Sequence, residues 1–457
     1  MTVEPKFPRE KYANAVYQYV SSYQILQRNE NNIARVKLAN GKIQTFGMGG
    51  PYVIDGAHSV YVGDIWVMAG QSNMRGHGYY NDVYNNNNNN DRSAILEPKA
   101  SIHLFQSNER WAIAQEPTHK LAESPRAVHR RIPDPTVRNP SALNIRGASL
   151  GLAFAQSYQK HNDNNVPVGL IASAHGGTST AQWMERDPKN PSNTLYGAMM
   201  ERIAEVDGNV AGFLWYQGET DACSSDPTSY SKNTIKLIKD IRHDMDYDIP
   251  VVCVQLGRCI GGSNVHNEYW TTVRENQYDI FMPQRQHVDD RRLCAVSSID
   301  AGMDDFIHLS ARGLVKVGHR LGLAASYTLQ GKAYLACPRI KFAGYEEKNE
   351  YGELRSTIKV TFDNVDGDAV KWSPVEGDVL GFSLHTQDHE EKLPIILSAR
   401  IEDERNVRIY LTREALHLHG SYVLYYGWGK NPCCNLTTTS DMALLASSIR
   451  FAVEHAH

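Results

Sequence analysis

The sequence predicts an α/β fold: a parallel sheet with helices on both faces, accompanied by β-rich regions at both ends. Three observations carry this. Between residues 61 and 335, short apolar runs alternate with helix-length amphipathic stretches, the pattern of repeated βαβ units. From about residue 336 onward the alternation stops. Short β-type runs then follow one another, separated by Asp, Gly and Asn turns, as in an all-β module. Residues 1–60 have a similar β-rich, turn-rich texture. The expected division is therefore 1–60, 61–335 and a β-sandwich-like 336–457, in keeping with a domain size of roughly 150 residues.

The elements follow in order. Residues 34–38 and 52–54 read as strands bounded by Asn-Gly and Gly-Gly turns. Residues 64–69 form a strand-like run ending at Gly70. Helical spacing covers 148–159, 195–206, 230–245 and 311–329, with Ile235, Leu237, Ile238 and Ile241 marking the apolar positions of the third. Between them, 166–173, 210–216, 250–256 and 292–299 read as buried strands. Further on, 357–362, 379–385, 399–401, 406–411 and 422–426 read as strands of the β module. The one low-complexity segment is the run of asparagines at 85–90, either a tolerated solvated insertion or a loop over the active site.

Composition narrows the function. Hydrophobic residues make up 41% and charged residues 21% of the chain, and the net charge is −4. These values describe a globular protein without the basic footprint of a nucleic-acid binder. No apolar run is long enough for a membrane span. The first 23 residues mix charges and aromatics, so no secretory leader is legible. A cytoplasmic location is expected, with secretion left open to a chain already trimmed of its leader. The seven cysteines are irregularly spaced and include no Cys-x-x-Cys pair, so no metal site is predicted from them.

In parallel α/β sheets, ligands bind beyond the carboxyl ends of the strands. Four post-strand segments carry reactive side chains. The first is Gly70-Gln71-Ser72-Asn73-Met74. Ser72 there is either a nucleophile on a tight turn or a helix cap. The second is His175-Gly176-Gly177-Thr178, whose glycines allow a backbone N–H to approach an oxyanion or simply make a turn. The third is Gln217-Gly218-Glu219-Thr220-Asp221. Gln217 offers an amide donor and Glu219 a carboxylate able to orient a histidine, although a capped loop reads the same way. The fourth is Asp305-Phe306-Ile307-His308-Leu309. An Asp three residues before a His reaches its Nδ1 and leaves Nε2 for a serine proton. Two surface loop residues would share that spacing.

The order Ser, Gly-Gly, Gln-Gly-Glu, Asp-x-x-His resembles the SGNH-type hydrolases, in particular the sialate O-acetylesterase-like carbohydrate acetylesterases. The segments 63–74 and Trp215-Tyr216-Gln217-Gly218-Glu219-Thr220-Asp221 carry the resemblance most specifically. Trp270 with Val273-Arg274-Glu275-Asn276-Gln277, Gly318-His319-Arg320-Leu321, and Tyr425-Tyr426-Gly427-Trp428 followed by Asn431-Pro432 extend it over about residues 23–452. The resemblance implies a three-layer, flavodoxin-like domain. It further implies Ser72 as nucleophile, His308 as general base, and an oxyanion hole from Ser72 N–H, Gly177 N–H and the Gln217 side chain. Asp305 or Glu219 would be the supporting acid. No metal or other cofactor is implied.

The chain departs from the family pattern at Phe306, where many relatives carry an acid, at Arg75, where glutamate is common, and at Asn276, usually a small residue. Gln217 replaces the asparagine of one superfamily block. The expected reaction is removal of O-acetyl groups from a carbohydrate through an acetyl-serine. Acetylated plant polysaccharide is the alternative substrate, and glycan binding without turnover the alternative function. Specificity is expected in the loops 77–100 and 115–140.

Overall fold

The structure is a computed structural model that describes residues 15–81, 95–162, 166–224, 226–262, 265–282, 290–350, 352–364, 372–373, 375–388 and 391–453. The asparagine run 85–90 lies outside the described residues. Among them, the largest sheet has nine strands. Its central path runs Leu293–Ser297, Val251–Gln255, Gly212–Tyr216, Ala57–Gly70, Val168–Ala172, Ile102–Phe105 and Trp111–Ile113. The first six are parallel to their neighbours, and Trp111–Ile113 closes the edge antiparallel. Every residue of Val168–Ala172, Gly212–Tyr216, Val251–Gln255 and Leu293–Ser297 is buried. This is why these strands read as continuous apolar runs and not as alternating ones.

Register brings the strand ends together. Gly70 lies opposite Tyr216, and Met68 opposite Ala172. The segments that follow these strands therefore open onto one crevice. At Gly70 (φ +134°) a Cβ would fall 2.1 Å from the Tyr216 carbonyl oxygen, so only glycine allows the two strands to end this close.

The long strand Ala57–Gly70 runs through residue 60 without a break. Its first half pairs with Ile25–Gln27 and Gly49–Ile54. Asp64, fully buried, accepts hydrogen bonds from the Arg28 guanidinium (2.7 and 2.9 Å), Gln27 and Tyr158. This network welds the N-terminal strands to the central sheet.

The helices form two groups. Gly151–His161 packs along Ala311–Leu329. Gly318 and Gly322 make this possible: a Cβ at Gly318 would sit 2.5 Å from the Leu150 carbonyl oxygen, and one at Gly322 2.5 Å from Ser157 Cβ. Thr180–Met184, Leu195–Ala204, Ser229–Met245 and Asn267–Phe281 form the second group. None of the described helices is long and apolar enough to cross a membrane.

The C-terminal part folds into two antiparallel four-stranded sheets. One runs Arg339–Glu350, Glu353–Asp363, Asn406–Leu411, Ile396–Ile401. The other runs Lys392–Leu393, Phe382–Thr386, Gly420–Tyr426, Ser447–Val453. They enclose their own apolar cluster, including Ile358, Val360, Leu384, Ile409 and Leu424. Two buried arginines tie this part to the central sheet. Arg320 pairs with Asp300 at 2.6 and 2.8 Å and reaches the Asp441 carboxylate at 3.2 Å. Arg274 donates to the carbonyls of Leu256, Gly257, Gly427 and Gly429.

Candidate active site

Ser72 opens the single helical turn Ser72–Arg75 that follows the long strand. Its Oγ lies 2.9 Å from His308 Nε2, and His308 Nδ1 lies 2.7 Å from Asp305 Oδ2. The other Asp305 oxygen accepts the backbone N–H groups of Ile307 (2.9 Å) and His308 (2.8 Å). The carboxylate thus folds its own loop into a turn that presents the histidine. Burial works against its charge, but the His308 ring and these N–H groups hold the carboxyl well below the usual carboxylate range. The acid, the imidazole and the hydroxyl form one continuous chain of hydrogen bonds.

The first and third predicted segments interlock. Gln71 N–H donates to the Tyr216 carbonyl, and Gln71 Oε1 accepts from Thr220 N–H at 3.2 Å. Asn73 Nδ2 donates to Glu219 Oε1 at 2.6 Å and to the Ile307 carbonyl at 3.3 Å, while Asn73 Oδ1 accepts Leu309 N–H at 3.0 Å. Glu219 is therefore joined to the His308 loop through Asn73 and makes no hydrogen bond to the histidine ring. Burial raises its carboxyl pKa, opposed by the Asn73 hydrogen bond.

Gln217, expected to aim at an oxyanion, is fully buried. Its amide nitrogen donates to the Thr178 carbonyl at 3.0 Å and to Asp221 Oδ2 at 2.5 Å. Both amide hydrogens are engaged, so Gln217 braces the second segment against the third. Asp221 completes the brace by accepting Thr180 N–H and Oγ1–H. The N–H groups of Ser72 and Gly177 have no acceptor among the described residues. Gly177 is exposed and lies in the left-handed region at φ +68°.

The conspicuous motif around residue 274 acts from behind. Trp270 Nε1–H and the Arg274 guanidinium hold the Gly257 carbonyl. Gln277 accepts Leu256 N–H and donates to the Gln217 carbonyl. Together they fix two post-strand loops at once. Arg75 is buried against Asp134 at 3.3 Å, which pins the 115–140 loop to the turn bearing Ser72. Phe306 is exposed, and its carbonyl accepts Ile260 N–H.

One neighbour had no sequence signal. His77 stacks face to face on His308, with ring centroids 3.6 Å apart and planes within 9°. It is only 6% exposed, and its Nδ1 has no hydrogen-bond partner. Burial, followed by the nearby His308, Arg146 and Arg75, pushes its pKa down to about 3, so the ring is neutral at working pH. Nothing but its place after Gly76 distinguishes it from the other histidines in the sequence. Among the described residues, His77, Asp305 and His308 also form a group able to share a cation, with ligand atoms within 4.8 Å of one another.

Residues 62–327 match the family model described as carbohydrate esterase, sialic acid-specific acetylesterase. The chain belongs to this family. All four post-strand segments of the esterase lie within the matched region. It is 30% identical over 272 residues to a probable carbohydrate esterase of Arabidopsis thaliana, covering 58% of this chain and 89% of that one. The solved structure of that plant protein covers 57% of the esterase and 96% of itself, at 26% identity and a TM-score of 0.43. A carbohydrate acetylesterase from Xanthomonas citri is similar in fold over 96% of the esterase and 100% of its own chain, with a TM-score of 0.63 at 20% identity. That likeness spans the central sheet and the β-rich parts alike.

Proposed function

We propose that this carbohydrate acetylesterase works through an acetyl-serine, with Ser72 as nucleophile, His308 as general base and Asp305 as the supporting acid. The observation that carries the reading is the unbroken path Ser72 Oγ, His308 Nε2, His308 Nδ1, Asp305 Oδ2, with links of 2.9 and 2.7 Å. Ser72 attacks the acetyl carbonyl as His308 takes its proton. The N–H groups of Ser72 and Gly177 meet the oxyanion, each worth about 3 kcal/mol in comparable sites. His308 returns the proton to the sugar oxygen as it leaves. A water deprotonated by His308 then releases acetate. The substrate is an O-acetylated carbohydrate. Glu219 and Gln217 hold the two flanking segments and do not touch the reacting atoms.

The strand order supports a flavodoxin-like reading. Without the extra strand Ile102–Phe105, the parallel strands follow the order second, first, third, fourth, fifth. The helix group containing Gly151–His161 and Ala311–Leu329 then covers one face, and the second group the other. The proposed catalytic unit spans residues 61–335, with accessory β-rich regions on either side. The cysteines are all free thiols, which fits the cytoplasmic location we propose.

Ser72→Ala tests the mechanism. It should abolish acetate release from acetylated sugars and from p-nitrophenyl acetate, with the thermal unfolding of the protein unchanged. Retained turnover would remove Ser72 from the reaction.

A further inference from the structure

We infer that His77, Asp305 and His308 form a site for a divalent ion of the zinc class, and that filling it switches the esterase off. The inference rests on the reading of His308 as general base. Three observations lead to it. The ligand atoms of the three residues lie within 4.8 Å of one another. His77 is buried, yet its Nδ1 has no partner and faces Asp305 Oδ2 across 4.0 Å. The two imidazoles come from separate chain segments, one after the Ser72 turn and one in the Asp305–His308 loop, and they meet over the same carboxylate. Two imidazole nitrogens and one carboxylate oxygen suit zinc, copper or nickel, whereas calcium and magnesium favour oxygen ligands alone.

Such an ion blocks catalysis through the tautomer of His308. As the base, the ring carries its proton on Nδ1, donates it to Asp305, and accepts the Ser72 proton at Nε2. An ion bound at Nδ1 displaces that proton to Nε2 of the same neutral ring. Nε2–H then donates to Ser72 Oγ and cannot accept from it. The Asp305–His308 hydrogen bond is replaced by two bonds to the ion, with no net loss of protons.

The test uses the full chain after treatment with a chelator. Zinc chloride should inhibit acetate release saturably, and EDTA should restore activity. His77→Phe keeps an aromatic ring on His308 but removes the free nitrogen. It should raise the zinc concentration for half-inhibition about tenfold or more, with calcium and magnesium inert against both proteins. Should His77→Phe lose activity, calorimetric titration of both proteins with zinc reads the same affinity difference. Equal zinc affinity in the two proteins, or none in the wild type, overturns the site. Zinc binding that needs His77 but leaves turnover intact overturns the switch, while the role of His308 as base then stands or falls with His308→Ala, which should abolish acetate release without zinc.

Discussion

Asn73 donates to the Glu219 carboxylate at 2.6 Å. The same side chain accepts Leu309 N–H and donates to the Ile307 carbonyl, so it grips both backbone neighbours of His308. A residue adjacent to Ser72 thereby fixes the loop of His308, and a buried carboxylate fixes that residue. Two carboxylates support His308 in different ways: Asp305 through the ring, and Glu219 through the loop.

That difference separates two variants. Asp305→Asn takes away the acceptor that sets the tautomer and stabilises the imidazolium, so kcat should fall about 1,000-fold or more. Glu219→Gln keeps an oxygen for Asn73 Nδ2, so the loss should be about tenfold or less. Steady-state rates on an acetylated sugar make the comparison. A greater loss from Glu219→Gln would reverse the assignment of the two carboxylates.

Asn73→Ala releases the His308 loop and leaves Glu219 buried without its donor. A displacement of the base by about 1 Å lowers rates on the order of 100-fold. That loss should fall on kcat, with KM nearly unchanged, because Asn73 holds the backbone on both sides of His308. A proportional rise in KM would place Asn73 in substrate binding.

Glu219 should also make stability depend on pH. Its folded-state pKa is raised, burial being the main cause. Its contribution is thus intact below the unfolded carboxyl pKa and is lost as pH rises through the folded one. Glu219→Gln removes this loss. The melting temperature of the variant relative to wild type should rise from acid toward neutral pH and then level off. A difference that is flat with pH would mean that Glu219 ionises without cost.

Much of this was legible because motif residues bond to one another. Gly70 meets Tyr216, Gln71 meets Thr220, and Asn73 meets Glu219, so two segments far apart in the chain are one structure. The buried parallel strands and the helix Ala311–Leu329 were equally plain, since continuous apolar runs and a 3.6-residue period leave few alternatives. Ile102–Phe105 was not legible. It is only four residues long and includes His103, a buried polar residue held by the carbonyls of Tyr23 and Ala100. The strand Arg339–Glu350 was hidden by its six charged residues, three of them exposed. The helix Asn267–Phe281 was seen only as a motif, because its inward side carries Arg274 and Gln277 along with Trp270 and Val273. Gln217 shows a related limit of sequence: its residue type announces a donor, but packing decides which acceptors that donor meets, here Thr178 and Asp221. His77 carries no pattern at all, since stacking between residues 231 positions apart exists only in the fold.

The glycines of the closing helix give a prediction on packing. In an exposed helix, Gly→Ala stabilises by about 1 kcal/mol. At Gly322 the new Cβ meets Ser157 Cβ at 2.5 Å and the Phe154 carbonyl oxygen at 2.6 Å, both on the neighbouring helix. Gly322→Ala should therefore destabilise, by about 1–3 kcal/mol, read from the urea midpoint. A stabilised variant would mean that the two helices separate freely.

Asp300 should join the stability of the central sheet to that of the β-rich C-terminal part. Burial opposes its charge, but the bond to Arg320 and the charges of Arg320 and Lys316 bring its pKa down to about 2. Stability from a depressed carboxyl is present above the unfolded pKa and is lost as pH falls through the folded one. Asp300→Asn leaves the buried Arg320 guanidinium without its main counter-charge, at a cost of about 3 kcal/mol. The melting temperature should therefore drop by several degrees at neutral pH, and the gap from wild type should narrow as pH falls from about 4 toward 2. Because Arg320 also holds the Asp441 carbonyl and carboxylate, the chain near residue 441 should become more sensitive to limited proteolysis. Unchanged cleavage there, alongside a lower melting temperature, would mean that Arg274 alone suffices to dock the C-terminal strands.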